Sequence, residues 1–215
     1  VVLPTIANHF PFNSLKDHQK ELYSPADGVL QNYANSARLV DNGIRTFFRE
    51  LEMHGLAENS LVIITGDHAF PMGEHHNFHL EAGYHEDSFR IPLFIVWKGV
   101  LSPQRIQTAY SQMDIAPTIL DLVDIDPGQN TLQGESIFTN KKTKPIYLVQ
   151  PYGKHLSLIR YPYKYRLHTK TMTEYLYNLE EDPMESKNIM SEIEAHDLTY
   201  FRTHLKRMFQ NQKVI

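Results

Sequence analysis

The first 125 residues alternate between short apolar runs and segments whose apolar residues have helical spacing. Runs over residues 1–6, 61–65 and 91–97 predict strands, because continuous apolar runs of this length are typical of strands buried on both faces of a sheet. An amphipathic helix is predicted before the second run, because its apolar residues recur every three or four positions: Tyr33, Ala37, Val40, Ile44, Phe47 and Leu51. A shorter helix is predicted over residues 116–120, with Asp114 as its cap.

This alternation predicts an α/β fold with a doubly wound, mostly parallel sheet in residues 1–125. The pattern then changes to short runs rich in Tyr, Ile and Leu, which predict a small antiparallel sheet: 144–150, 155–160, 163–168 and 175–179. A final helix is predicted over about residues 190–210, because Leu198, Phe201, Leu205 and Met208 share one face. We therefore divide the sequence into an α/β part, 1–125, and an antiparallel subdomain with a C-terminal helix, 126–215.

Composition narrows the class of protein. Hydrophobic residues make up 41% and charged residues 21% of the 215 positions, as in globular proteins. The formal charge of −4 and the scattered Lys and Arg give no indication of a nucleic-acid partner. Without cysteine the chain has no disulfides or thiol ligands, and no apolar run approaches the roughly 20 residues of a membrane span. The chain starts without Met, in what resembles a strand already under way, so we expect it to be a piece of a longer protein.

The strongest chemical signal follows the apolar run at residues 61–65. Gly66 ends that run, and Asp67 and His68 come directly after it. In α/β sheets, ligands bind outside the carboxyl ends of the strands, which is the position predicted for this pair. A carboxylate beside an imidazole at such a position predicts two ligands of a divalent metal ion.

Five of the twelve histidines lie between residues 68 and 85: His68, His75, His76, His79 and His85. A single histidine is usually a surface or structural residue. Several in a long segment directly after a buried strand favour a functional loop. We expect the last four to lie near the substrate, with His75, His76 and His79 as the stronger candidates. The zinc-protease motif H-E-x-x-H does not occur.

His9 stands in an aromatic and proline-rich stretch, residues 8–12. From this local pattern alone, a histidine in a packed turn is the simpler interpretation.

Several ordered motifs resemble the sulfatase family of the alkaline phosphatase superfamily: Thr65–His68, Gly73–His75, Phe89–Ile95, Ser111–Leu120 and Leu176–Glu185. Together they cover about residues 1–190. The stretch around His9 and the helix at 33–51 are most similar to the lipoteichoic acid synthase branch. That branch transfers phosphoglycerol between lipids from an extracytoplasmic domain tethered by transmembrane helices.

The resemblance implies roles for individual residues. Asp67 and His68 match two ligands of a divalent ion, which would be Mn²⁺, Zn²⁺, Ca²⁺ or Mg²⁺. His9 matches the histidine that hydrogen-bonds the ester or its leaving oxygen. His75 and His76 fall where the family places a basic residue over the sulfate or phosphate; sulfatases often use Lys there. The substrate implied is a sulfate or phosphate ester, lipid-linked in the synthase branch.

The same resemblance implies that half of the domain precedes this segment. The family's nucleophile and its other acidic metal ligands belong to that half, and no acidic residue precedes Asp17 here. Ser102 does not supply the nucleophile, because Pro and Arg follow it one position too early for the sulfatase motif. We therefore expect the segment alone to be catalytically silent.

Three functions remain open at this point: a phosphoglycerol-type transferase, a sulfuric ester hydrolase, and a non-catalytic domain that keeps the fold. The stretch around His9 favours the transferase. Residues 73–76 and 176–183 favour the hydrolase. A nucleophile upstream would discriminate the two enzymes, and a metal titration would separate both from the non-catalytic domain.

Overall fold

The computed structural model describes residues 1–23, 28–79, 83–126, 128, 132–138, 144–150 and 153–211, without the side chains of residues 209 and 211. The chain groups into two compact units. One comprises residues 1–66 and 92–104, and the other residues 67–91 and 105–215. The division of the sequence at residue 125 stays a prediction. No helix in the described ranges is both long and apolar enough to cross a membrane.

The first unit contains one long helix and two strands. Helix α1 spans Val29–Met53, strand β1 spans Leu61–Thr65 and strand β2 spans Leu93–Trp97. These elements confirm the helix and the two strands predicted in this region. The indole N–H of Trp97 donates to the carbonyl of Glu58 at 3.2 Å, which ties the end of β2 to the turn before β1.

The expected parallel direction is wrong for the two described strands of the first unit. Strands β1 and β2 pair antiparallel, with Leu61 opposite Trp97 and Thr65 opposite Leu93. Parallel neighbours need a long crossover, usually a helix. The described residues between these strands, 66–79 and 83–92, form short 3-10 turns and no α-helix.

The predicted burial of these strands on both faces is also wrong. In β2, exposed and half-buried side chains alternate: Phe94 is 58% exposed, and its two neighbours in the strand are half-buried. One face of the strand is therefore covered and the other is open. Residues 1–6, predicted as a strand, have no regular secondary structure, and Val1, Val2 and Ile6 are exposed.

The second unit contains the predicted antiparallel sheet and the final helix. Strands β3 (Ile146–Val149), β4 (His155–Arg160), β5 (Tyr163–His168) and β6 (Thr173–Asn178) lie in chain order, each antiparallel to the next. Helix α3 spans Ala195–Asn211 and packs on this sheet. The core between them consists of Leu156, Leu158, Tyr165, Leu176, Phe201 and Leu205. The predicted C-terminal sheet and helix are confirmed.

Helix α2 (Ile115–Leu122) also belongs to the second unit, and Asp114 fixes the turn that precedes it. The Asp114 carboxylate is buried and accepts the backbone N–H groups of Ser111 and Glu135, each at 2.8 Å. Asp114 is the N-cap residue of α2, as predicted, but its carboxylate makes no hydrogen bond to the first turn of that helix. A β-carbon on Gly134 would come within 2.0 Å of the Met113 carbonyl, so only glycine fits this close approach.

Candidate functional site

Asp67 and His68 lie at the start of the second unit, directly after Gly66. The side-chain amide of Gln112 donates to the Asp67 carbonyl at 2.9 Å, so the turn before α2 holds the backbone of the pair. The His68 N–H donates to Asp67 Oδ1 at 2.9 Å. Both side chains face solvent, with 90% of Asp67 and 55% of His68 exposed.

The arrangement of this pair fits a divalent metal ion. His68 Nδ1 lies 2.9 Å from the Ala69 carbonyl, which can only accept, so in the neutral ring Nδ1 carries the hydrogen and Nε2 has the lone pair. Metal-binding histidines are commonly oriented by such a bond. Asp67 Oδ2 lies 3.7 Å from His68 Nε2. Metal bonds of about 2.0–2.2 Å sum to more than that separation, so one ion can reach both atoms.

His9, the predicted acid, belongs to the first unit and is exposed on a tight turn. Its N–H donates to the Ile6 carbonyl at 3.1 Å, and its own carbonyl accepts from Phe12 at 2.8 Å. Phe12 anchors the turn, because its ring is buried and meets the Tyr33 ring at 5.2 Å. His9 Nδ1 donates to the Phe10 carbonyl at 2.7 Å, which leaves Nε2 as the atom for proton exchange.

The three predicted substrate histidines do not share one environment. His76 and His79 are exposed. The ring of His75 is only 19% exposed and is held by protein groups at both nitrogens. Nδ1 lies 2.9 Å from Asp87 Oδ2, and Nε2 lies 2.5 Å from the carbonyl of Met184.

His85 stacks on His75, with ring centroids 3.7 Å apart and planes 16° from parallel. Burial alone would lower the pKa of His75, but its hydrogen bonds to Asp87 and to the Met184 carbonyl outweigh burial and raise that pKa. Burial, together with the positive charges of His75 and Arg166, lowers the pKa of His85 to about 3. One ring of the stack therefore favours the charged form and the other the neutral form.

His75, His85 and Asp87 offer ligand atoms that all lie within 4.8 Å of one another, as a metal site would require. Their orientation does not fit an ion as well as their residue types do. Histidine ligands bind through lone pairs in the ring plane, and two rings stacked face to face do not point those lone pairs at one position. Both nitrogens of His75 also already have oxygen partners. The Asp67–His68 pair is therefore the better candidate metal site.

A buried charge cluster beside this triad was not predicted from the sequence. Lys164 is fully buried in β5, and its ammonium lies 2.8 Å from Glu86 and 3.1 Å from Glu185. The backbone N–H of Glu86 donates to the Glu185 carboxylate at 2.5 Å. The available signal was the acidic end of the motif at residues 176–185, whose last residue is this glutamate.

Arg166 forms a second buried cationic centre in β5. Its guanidinium lies between the rings of Tyr84 and Tyr175, 4.1 Å and 4.0 Å from their centroids, and donates to the Tyr177 hydroxyl at 2.8 Å. Burial, together with the charge of Arg166, lowers the pKa of His155 to about 4. The loop at residues 83–90 is thus joined to the C-terminal sheet by charged and aromatic contacts.

Comparison with known proteins bears on the same residues. The sequence matches the family model described as Sulfatase over residues 1–125, and the model described as N-sulphoglucosamine sulphohydrolase, C-terminal, over residues 73–213. It is similar to lipoteichoic acid synthase 2 of Bacillus subtilis (strain 168), with 30% identity over 155 residues. That alignment covers 66% of this chain and 23% of the synthase, so the chain spans about a quarter of this relative.

Two solved structures have similar folds. Ps i-CgsB in complex with k-i-k-neocarrahexaose superposes with a TM-score of 0.78 at 21% identity, covering 94% of this chain and 48% of that one. BT4656 in complex with its substrate D-glucosamine-2-N,6-O-disulfate gives a TM-score of 0.67 at 22% identity, covering 86% and 41%. At these identities the likeness establishes the fold alone, and it confirms the predicted α/β class.

The Sulfatase model matches more than half of the 215 residues, and the motifs that predicted the resemblance lie inside the matched ranges. The chain belongs to the sulfatase family.

Proposed function

We propose that this chain is part of a metal-dependent enzyme that transfers or hydrolyses sulfate or phosphate esters. Within that class we propose a phosphoglycerol-type transferase with a lipid-linked substrate. It would act outside the cytoplasm and be tethered by transmembrane helices beyond this segment. The observation that carries the proposal is the Asp67–His68 pair, whose carboxylate oxygen and imidazole nitrogen are oriented for one ion. The 30% sequence identity to lipoteichoic acid synthase 2 supports the transferase.

Each candidate residue then has a role. Asp67 and His68 would hold a Mn²⁺, Zn²⁺, Ca²⁺ or Mg²⁺ ion, which lowers the pKa of a nucleophile and neutralises charge on the ester. His9 would donate a proton from Nε2 to the departing oxygen, since its Nδ1 is occupied by the Phe10 carbonyl. His75, His76 and His79 form the segment proposed to contact the anionic ester. The nucleophile and the opposing metal ligands would come from the preceding half of the domain.

A sulfuric ester hydrolase is the second candidate. The match of residues 73–213 to a sulphohydrolase C-terminal model favours it, as does the sulfated sugar bound by BT4656. A non-catalytic domain with the same fold is the third. Calorimetric titration of the protein with Mn²⁺ separates the non-catalytic domain from the two enzymes. The non-catalytic domain predicts no metal affinity that depends on Asp67.

The first test measures hydrolysis of p-nitrophenyl sulfate, p-nitrophenyl phosphate and a bis-ester by the 215-residue chain with added Mn²⁺. We expect background rates, because removing a nucleophile costs several orders of magnitude in rate. Turnover by this chain that is abolished in Asp67→Ala would contradict the proposed position of the nucleophile.

The second test uses a protein that also contains the preceding half of the domain. His9→Ala should lower turnover far more for esters with poor leaving groups than for nitrophenyl esters, since nitrophenolate needs little protonation. His18→Ala is the matched control, because His18 is exposed in the same unit and has no proposed role. Equal losses for both classes of ester would exclude His9 as the acid.

A further inference from the structure

The segment that carries the candidate ester contacts has an unusual backbone. His75 and His76 are consecutive residues with left-handed φ angles, 52° and 55°, and Gly73 has φ 115°. Residues with a β-carbon rarely adopt this conformation, because the β-carbon approaches the neighbouring carbonyl. Three short bonds close the turn: His76 N–H to the Gly73 carbonyl at 3.1 Å, Asn77 to Glu74 at 2.9 Å, and Gly73 to Asn77 at 3.0 Å. Such a turn persists only where surrounding contacts hold it.

The side chain of His75 makes contacts that stabilise the turn. Its two nitrogens face a carboxylate oxygen of Asp87 and the carbonyl oxygen of Met184, and neither oxygen can donate a hydrogen. Both nitrogens must therefore carry hydrogen, so the ring is an imidazolium. The face of the neutral His85 ring lies against it at 3.7 Å, as in a cation–π contact.

A second contact joins the same two regions. Glu185, next to Met184, accepts the N–H of Glu86 at 2.5 Å and pairs with the ammonium of Lys164. The titratable groups that act on His75 are Asp87 and His85 from its own loop and Asp182 and Glu185 from the segment after β6. The segment after β6 therefore binds the loop at two points, the ring of His75 and the backbone N–H of Glu86.

We propose that His75 is a positioning residue: bound to Asp87 and Met184, it locks the left-handed turn that presents the neighbouring His76 to the anionic ester. This rests on the proposed function, because that function supplies the ester. The two adjacent histidines thereby divide their work. His75 points into the protein and sets the turn, and His76, which is exposed, contacts the substrate.

The first experiment follows the ¹⁵N-labelled chain by NMR. In the unsubstituted chain, both ring nitrogens of His75 are expected to be protonated at neutral pH. In His75→Gln, amide exchange at Gly73, Asn77 and Glu86 should become about tenfold faster or more, because one amide side chain cannot replace two charge-assisted bonds. His76→Gln is the matched control and should leave these rates unchanged.

Two outcomes in the unsubstituted chain overturn the proposal. One is a His75 ring with a single protonated nitrogen, which requires no variant and so does not depend on whether His75→Gln folds. The other is a stoichiometric shift of the His75 and His85 ring signals on adding Zn²⁺, which would make the triad a metal site. Unchanged exchange at Gly73 and Asn77 in a folded His75→Gln would likewise exclude the positioning role.

The second experiment measures p-nitrophenyl phosphate and p-nitrophenyl sulfate turnover in a protein with the preceding half of the domain. His75→Gln and His76→Gln should both raise KM, but only His75→Gln should open the turn. KM of the unsubstituted enzyme should rise with pH as His75 loses its proton, and this dependence should vanish in His75→Gln. An open turn with KM unchanged in both variants would keep the anchoring role and overturn the ester contact of His76.

Discussion

The second unit contains two groups of imidazoles and carboxylates that look alike in the sequence and differ in the structure. The Asp67–His68 pair faces solvent and keeps one oxygen and one ring nitrogen available on the same side. The His75–His85–Asp87 triad is half-buried, and both ring nitrogens of His75 already face oxygens of Asp87 and Met184. Residue type alone therefore does not define a metal site. The direction of the lone pairs and the position of each hydrogen decide whether a histidine binds an ion or holds a fold together.

The largest expected effect tests this difference by matched substitutions. In a protein with the complete active site, Asp67→Asn should lower turnover about 10⁴-fold, the order seen when one member of a catalytic unit is removed. It should also weaken Mn²⁺ binding, measured by calorimetry, while the urea midpoint of unfolding stays unchanged.

Asp87→Asn is the matched substitution in the triad and should give the opposite pattern. Removing the counter-charge of His75 should lower the free energy of unfolding by roughly 1.5–3 kcal/mol, the range for hydrogen bonds to charged groups. Mn²⁺ affinity should remain. If Asp87→Asn abolished metal binding and Asp67→Asn did not, the assignments of pair and triad would have to be exchanged.

The charge cluster beside the triad should cost stability when it is broken. Lys164→Met leaves Glu86 and Glu185 without their shared cation, and breaking a buried ion pair in this way typically costs about 3–5 kcal/mol. Urea unfolding followed by circular dichroism measures the loss. Lys187→Met is the control, since Lys187 pairs with Glu192 in solvent, and its midpoint should hardly move. Equal urea midpoints for both variants would show that the charge cluster does not stabilise the second unit.

The smallest expected effect is a dependence of stability on pH. The pKa of His85 is lowered to about 3 and that of His155 to about 4, against 6.5 in the unfolded chain. As the pH falls from about 6.5 towards 4, these two histidines bind protons in the unfolded chain but not in the folded chain. The free energy of unfolding therefore decreases. His75 opposes this trend, because its raised pKa adds stability below 6.5 that is lost as the pH rises through the raised value.

The measurement is the urea midpoint at pH 7.5 and at pH 5. It should be lower at pH 5 in the unsubstituted chain, and His85→Phe, which keeps an aromatic face against His75, should reduce the difference. His196→Phe removes an exposed histidine and should not change it. A midpoint that rises on acidification would mean that His75 outweighs the two buried rings.

Local pattern was sufficient to predict the C-terminal sheet and helix. The Tyr-rich runs are short and separated by turn residues, so each strand pairs with the next one in the chain. Strand direction in the first unit was not predictable in this way. An apolar run at residues 61–65 indicates a strand, but it carries no information on which strand lies beside it or in which direction.

In the candidate site, too, the sequence shows what is adjacent in the chain and not what is distant. Asp67 and His68 are adjacent, so their ligand types and their place after a strand are visible in the sequence. The partners of His75 lie 12 and 109 residues further along the chain, and no local pattern connects them. The predicted roles of all the site residues stay predictions, which the experiments above address: Asp67 and His68 as metal ligands, His9 as the acid, and His75, His76 and His79 as substrate contacts.

The distance along the chain between His75 and Met184 has a consequence for biosynthesis. A ribosome adds about 5–20 residues per second, so the 109 residues between the ring and its carbonyl partner take roughly 5–20 s to emerge. During that interval the nascent turn has the Asp87 partner of His75 but lacks the Met184 carbonyl that holds the other ring nitrogen. Both contacts of the His75 ring can form only when the segment after β6 has been made.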